Sequence, residues 1–264
     1  MKILVPIKQV AVLDEDFELL DDGKGVDPDY LDYELNEWDD YSYEEALRIM
    51  EANEGVEVVP VTVGPESADD ALRQCLAKGG ERGIRVWDDA IEGSDPCAIA
   101  RMLAKVVERE KPDLVFVGTL SSDHSFAQTG MGLAACIGWP HIAVANHLEF
   151  TPGDSKATVH RELEGGVEEK MTVDLPAVLT IQLGINEPRY ASLRGIKQAK
   201  SKEIEVLSHG DIGLGDDEVG EKGSLSRLRR MEIPEKGQAE LIEGTPAEQA
   251  ARLAEIIKEL KGAA

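Results

Sequence analysis

LVFVGTLSSDHSFAQTGMG, residues 114–132, reads as a short buried strand, a run of polar side chains and the opening of a helix. Leu114 to Val117 are uniformly apolar, and Gly118 ends the strand. Thr119, Ser121, Ser122, Asp123, Ser125, Gln128 and Thr129 then offer hydroxyl, carboxylate and amide groups ahead of the helix. Open α/β sheets bind ligands beyond the carboxyl ends of their strands, and helix N-termini attract phosphate because their N–H groups and dipole point at the anion. The stretch therefore reads either as a nucleotide site or as an ordinary polar loop capping a helix.

The flanking sequence repeats the strand-then-helix pattern. Lys2 to Ile7, Val56 to Val63 and Gly83 to Val86 are further short apolar runs. Between them, helical spacing predicts helices over Ser42–Ala52 and Ser67–Lys78, with Ser67 as N-cap and Gly79 past the end. Asp95 caps a third helix, with Pro96 at its first position and apolar residues from Ile99 to Val107. Alternating strands and helices imply a mostly parallel sheet flanked by helices, joined by right-handed crossovers. After Phe150 the apolar and polar residues alternate around two turns, which predicts antiparallel additions through Ile181. From Gly184 to Pro234 periodicity is weak and glycines punctuate an acidic stretch.

The chain ends in a helix with a capping box, Thr245 to Glu248, and an apolar stripe of Leu253, Ile256, Ile257 and Leu260. Such a stripe, tethered by irregular chain, must bury itself on its own domain or on another chain, and another chain is the expectation. The organisation expected is an α/β domain over residues 1–183, followed by a partner-recognition loop and C-terminal arm over 184–264.

Composition excludes several functions. The formal charge of −24 argues against nucleic acid, because polyanion binding needs a basic surface. No apolar run approaches the roughly eighteen residues needed to cross a bilayer, and MKILVPIKQV passes into charged sequence without a small-residue cleavage site, so a cytoplasmic protein is expected. Fifteen carboxylates between Asp14 and Glu45 face one basic residue, Lys24, and form either a solvated face or a docking surface for a basic partner. Cys75, Cys97 and Cys136 are too widely spaced for a metal knuckle or a redox pair and read as free core thiols.

No catalytic set emerges. His124, His141, His147, His160 and His209 lack metal-ligand spacing, and no serine lies in a nucleophile elbow. Glu162 and Glu164 alternate on a strand before a turn and read as exposed carboxylates. Gly130-Met-Gly132-Leu-Ala-Ala135 imitates a dinucleotide fingerprint, yet it starts thirteen residues beyond Val117 and is expected inside the helix as small-residue packing. In INEPRYASLRGIKQAKSKEIE, the cations Arg189, Arg194, Lys197, Lys200 and Lys202 surround Tyr190, Leu193 and Ile196. An apolar tip within a basic rim suits transient docking, and a basic helix end packed on the sheet fits the same residues.

VHRELEGGVEEKMTVDLPAVLT resembles the signature of electron transfer flavoprotein beta subunits, with Val159, Arg161, Glu164, Gly165, Gly166, Glu169, Pro176, Val178, Leu179 and Thr180 matching. Met171 departs, since a branched aliphatic residue is usual there. The resemblance spans nearly the whole chain, through VPIKQV, LNEWDDYSYEEA, CLAKGGERGIRV, the QTG loop, GWP and NEPRYASLRGIKQAK. It implies a Rossmann-like nucleotide-binding domain paired with an alpha subunit. That pair is an electron carrier without catalytic residues in this chain, and its FAD is held mainly by alpha. By the same resemblance AMP contacts fall on Pro6, Asn36, Glu37, Trp38, Asp39 and Val63, and on the run Gly118, Thr119, Leu120, Ser121, Ser122, Asp123, His124, Ser125, Phe126, Ala127, Gln128 and Thr129. Pro6 and Val63 would act through backbone.

Leu13 and Trp38 correspond to positions that approach the flavin from the beta side. Leu193 matches the anchor leucine of the loop that docks on a flavin-containing primary dehydrogenase, with Tyr190, Arg194, Ile196 and Lys197 around it. Flavin-bifurcating relatives carry a second FAD in place of AMP and a Gln-Val-Gly-Pro loop. Here the loop is Gln128-Thr129-Gly130-Met131, which favours the AMP branch, and LNEWDD and SLRGIK look most like carriers serving methylotroph-type amine dehydrogenases. The alternatives are a bifurcating member with a second FAD, and a stand-alone nucleotide-binding regulator of the universal-stress type.

Overall fold

A computed structural model describes residues 1–262 apart from 15, 235, 236, 238 and 240. Two compact units result, Met1–Arg229 and Arg230–Ala264.

The first unit is a nine-stranded sheet. Its central strands are β1 (Lys2–Pro6), β4 (Glu57–Val63), β5 (Arg82–Val86), β6 (Leu114–Gly118) and β10 (Ala177–Ile181). All pair in parallel, and β6 and β10 are buried at every residue. Two-sided burial explains why these strands read as continuous apolar runs. Helices α1 (Glu37–Ala52) and α2 (Asp69–Lys78) cover the face carrying Ile3, Val5 and Phe116. On the face carrying Leu4, Val115 and Val117 lie α3 (Pro96–Glu110) and α4 (Thr129–Ile137). The fold is therefore α/β with a mixed, mostly parallel sheet, as the alternation of elements predicts.

The antiparallel additions are β7 (His141–Glu149), β8 (Lys156–Leu163) and β9 (Val167–Asp174), which extend one edge. Glu162 and Glu164 are exposed there. β10, expected among these additions, instead inserts in parallel between β6 and β7. Its sequence, AVLTI, is apolar on both faces and demands a central place. At the opposite edge β11 (Glu203–Leu207) pairs in parallel with β5. Thus the weakly periodic 184–234 region contributes a strand, and the short apolar–polar alternation of EIEVL is its only signal. A separate two-stranded arm pairs β2 (Gln9–Leu13) with β3 (Leu31–Leu35), and the connection between them carries much of the acidic stretch. Glu15, one of the fifteen carboxylates, lies outside the described residues.

Local expectations fare unevenly. Asp95 caps α3 by accepting from Ala98 N–H at 2.9 Å. Ser67 does not cap α2. It lies in a 3-10 turn (Glu66–Ala68), where its hydroxyl donates to Gln9 Oε1 at 3.0 Å and its carbonyl accepts from Gln9 Nε2 at 2.9 Å. Helix α1 starts earlier than its apolar spacing suggests, because Glu37, Asp39 and Asp40 favour the positive end of a helix dipole. Of the thiols only Cys75 is buried; Cys97 is half-buried and Cys136 exposed. Helix α4 buries Gly130, Leu133 and Ala134, and Cys136 falls off that stripe. Gly130 and Gly132 do lie inside α4, where a Cβ would press on Thr180 and Ala100 respectively.

The second unit contains α7 (Pro246–Gly262), opened by the expected capping box, in which the N–H and hydroxyl of Thr245 both donate to Glu248 at 2.8 Å. None of its side chains is buried, and Leu253, Ile257 and Leu260 are exposed.

Helix α5 (Leu193–Ala199) lies against α2 so closely that a methyl on Gly195 would run into the Ala77 carbonyl. Gly195→Ala is expected to cost roughly 1–3 kcal/mol by overpacking. Urea unfolding of the variant beside wild type measures it, and equal midpoints would place the two helices further apart.

Candidate functional site

Successive crossovers carry the chain from β1 to β4 on one side and later to β6 on the other, so a crevice opens beyond the carboxyl ends of β1 and β6. A cavity of about 850 Å³ lies there. Pro6 ends β1 and Ile7 and Lys8 follow it, Val61 and Val63 lie at the end of β4, and Val117 and Gly118 end β6. Ile99 and Leu103 of α3 extend the apolar wall. The opposite wall is the polar loop from Thr119 to Ser121 and from Phe126 to Thr129, together with His124.

One carboxylate organises this crevice. Asp39, in the first turn of α1, accepts from Lys8 N–H at 2.8 Å and from Gly118 N–H at 3.0 Å. It thereby ties the exits of β1 and β6 to a helix N-terminus. Gly118 is required for this approach, because a Cβ there would overlap Asp39 Oδ1 and lie 2.9 Å from Trp38 Cβ. Burial pushes the Asp39 carboxyl up to about 7, against hydrogen bonds from Asn36, Lys8 and Gly118 that favour its charged form.

The loop is held from outside by Asn36, which donates from Nδ2 to the Leu120 carbonyl at 2.9 Å and accepts from Ser122 N–H at 3.2 Å. Lys8 Nζ donates to Asp123 at 2.6 and 2.7 Å, to Ser121 Oγ at 3.3 Å and to His124 Nδ1 at 3.0 Å. Burial works against ionised Asp123, but contacts with His124, Lys8 and Ser121 outweigh it and hold the carboxyl well below the usual range. Ser125 and Ala127 both take φ of +52°, a region non-glycine residues rarely occupy, and between them Phe126 stacks on the His124 ring at 5.4 Å. Helix α4 then begins with no side-chain cap at Gln128, leaving its first N–H groups for a ligand. The valines and α3 offer an apolar wall, and the loop and uncapped helix start offer hydroxyl and N–H donors of the kind that hold an anionic group.

Of the residues expected at a nucleotide site, Pro6, Asn36, Asp39, Val63, Gly118 to Ser121, His124 and Phe126 to Thr129 line the cavity. Glu37, Trp38, Ser122, Asp123 and Ser125 lie beside it without lining it. Asp123 acts through Lys8, and Trp38 donates from Nε1 to Gln182 Oε1 at 3.0 Å. Leu13, at the end of β2, is 46% exposed and stands apart from the cavity. Sequence reasoning missed Lys8, although it lies two residues beyond β1, and Gly93 to Pro96, whose role as a helix start was legible. It also missed Ser226 to Arg229, where the basic cluster SRLRR after an acidic stretch was the available signal.

The second candidate surface is the 190s tip. Tyr190 and Leu193 are 99% and 89% exposed, and Arg194, Ile196 and Lys197 are exposed around them. Two of the five cations are not in the rim. Arg189 is held by Glu44, at 2.8 to 3.1 Å, and by Glu51, while Lys202 donates to the Leu76 and Gly80 carbonyls at 2.9 and 2.5 Å. They brace the tip from beneath. Among the described residues no cluster of side chains suits a metal ion, and no helix is long and apolar enough to cross a membrane.

Residues 25–212 match the electron transfer flavoprotein domain. Along its full length the chain is 57% identical to the electron transfer flavoprotein subunit beta of Methylophilus methylotrophus, covering all of that protein. It is 41% identical to the subunit beta of Bradyrhizobium diazoefficiens, over 81% of this chain and 84% of the relative. Against the mitochondrial subunit beta of Arabidopsis thaliana the identity is 38%, over 89% and 91%.

Asp39→Asn removes one of two acceptor oxygens and is expected to cost about 1–3 kcal/mol through the N–H group left unpaired. The folded chain holds the Asp39 proton more tightly than the unfolded chain does. Its stabilisation is therefore complete below about pH 4 and lost as pH rises through about 7. The gap between wild type and variant, measured by denaturant unfolding, should shrink between pH 5 and pH 8. A constant gap would show that Asp39 titrates normally.

Proposed function

This chain belongs to the electron transfer flavoprotein family as a beta subunit, and from that premise we propose that it is the AMP-holding, partner-recognising half of an alpha–beta heterodimer. The pair shuttles electrons from a primary dehydrogenase towards the respiratory chain. FAD, held mainly by the alpha subunit, supplies the one-electron chemistry when bound. The residues of this chain bind, orient and dock.

The observation that carries the reading is the cavity at the sheet's switch point, where a polar loop and an uncapped helix start face an apolar wall. Its donors and its apolar side suit an adenine nucleotide with one phosphate. In this reading the Thr119–Thr129 loop and the start of α4 hold the phosphate end, and Val61, Val63, Ile99 and Leu103 flank the base. Leu13 and Trp38 lie outside the cavity and face the flavin of the alpha subunit. The exposed stripe of α7 gives that subunit a surface to cover.

Purified together with its alpha subunit, the protein should release one FAD and one AMP per heterodimer on denaturation, read by chromatography and absorbance. Two FAD and no AMP would place it among the bifurcating members. A monomer that binds ATP without flavin or partner would instead make it a nucleotide-binding regulator.

At the 190s tip, an apolar side chain standing in a rim of Arg194 and Lys197 suits brief, charge-steered docking on a dehydrogenase. The likeness of LNEWDD and SLRGIK to carriers serving methylotroph-type amine dehydrogenases makes an amine dehydrogenase the donor we propose. Leu193→Ala should slow electron transfer from that dehydrogenase about tenfold or more, as expected for a docking anchor, with flavin content unchanged. An unchanged rate in stopped-flow reduction would remove the anchor role.

A further inference from the structure

The cavity has a wall that the polar loop does not explain. Downstream of β11 the chain doubles back as a strap, passes through the single-turn helix α6 (Gly220–Gly223) and brings Ser226, Arg227, Leu228 and Arg229 to the cavity. The strap is built in. Asp95, while capping α3 with one oxygen, accepts with the other from Leu225 N–H at 2.8 Å, Ser226 N–H at 2.8 Å and the Ser226 hydroxyl at 3.0 Å. Gly220 N–H donates to Ser94 Oγ at 2.8 Å, and Asp95 N–H donates to Ser224 Oγ at 2.8 Å.

Charge singles this strap out. In a chain of net charge −24, four cations line one cavity: Lys8, Lys24, Arg227 and Arg229. Lys8 is neutralised by Asp123. Lys24, Arg227 and Arg229 form no ion pair among the described residues, although Asp39, Asp95 and Glu221 line the same cavity. Asp95 is occupied by the N–H and O–H groups that anchor the strap, Asp39 by Lys8 and Gly118, and only the backbone carbonyl of Glu221 meets Arg227, at 3.1 Å. Arg227 and Arg229 are exposed at the cavity and available to an anion, and phosphate suits the forked geometry of arginine.

Resting on the nucleotide reading above, we propose that Arg227 and Arg229 of the strap are phosphate ligands, which reach the nucleotide from the start of α3 while the Thr119–Thr129 loop reaches it from the end of β6. Asp95 is then a positioning residue, coupling the start of α3 to the strap. The ligand class follows: a nucleotide keeps its place through its phosphate charge as well as its base.

The test uses the alpha–beta complex stripped of endogenous nucleotide, with AMP and adenosine as probes in titration calorimetry. The double variant Arg227→Gln, Arg229→Gln should bind AMP about 10- to 100-fold more weakly, the loss expected for charge-assisted contacts, while adenosine affinity stays as in wild type. In the wild-type complex, raising salt should weaken AMP and leave adenosine unaffected. Unchanged AMP affinity in the variant, or equal losses for AMP and adenosine, would overturn the phosphate role. A wild-type complex that binds neither probe would overturn the nucleotide reading, and the strap assignment with it.

Discussion

The Asp39 carboxylate is the contact on which the crevice depends. Its two oxygens take N–H groups from Lys8 and Gly118, at the exits of two neighbouring parallel strands, while its own residue belongs to the first turn of α1. Parallel strands leave their carboxyl ends with unpaired donors, and a short acceptor at a helix start satisfies two of them at once. The arrangement sets how far β1 and β6 open, admits only glycine at 118, and commits the next residues of each strand to the cavity. A buried acid in that position carries a desolvation cost, which is why its protonation moves into the neutral range.

From that end α1 reaches to the other functional surface. Glu44, buried on the same helix, grips Arg189 as Glu51 does about two turns later, and Asn186 donates to the Tyr41 carbonyl and to Glu45 at 3.0 Å. The loop before the tip is therefore held along α1, and α5 behind it rests on α2 through Gly195. Tyr190 and Leu193 stand out because everything beneath them is braced. A docking tip presented this way loses little conformational entropy on contact, which suits an encounter that must be both specific and short.

How much of this was legible varies with the range of the interactions. Strands buried on both faces, such as LVFVG and AVLTI, announce themselves as strands but not their neighbours, so β10 was expected antiparallel and proved central and parallel. Ser67 looked like a cap because capping is local, yet Gln9, fifty-eight residues away, took its hydroxyl. Arg189 and Lys202 looked like part of a basic rim because charge is visible in sequence and partners are not. Resemblance to the family pointed to the Gly118–Thr129 loop, and physical reading of the strand-to-helix turn chose the same residues. Neither pointed to the strap, which reaches the cavity only through long-range anchoring on Asp95.

By itself the sequence determined the class of fold, the four strands β1, β4, β5 and β6, the helix starts at Asp95 and Thr245, and the family, because each of these rests on local periodicity, on capping or on motif residues. Tertiary structure alone decided which strands became neighbours, which acids became buried, and which cations face the cavity. Those outcomes depend on contacts between residues some 30 to 130 positions apart, and no local pattern encodes them.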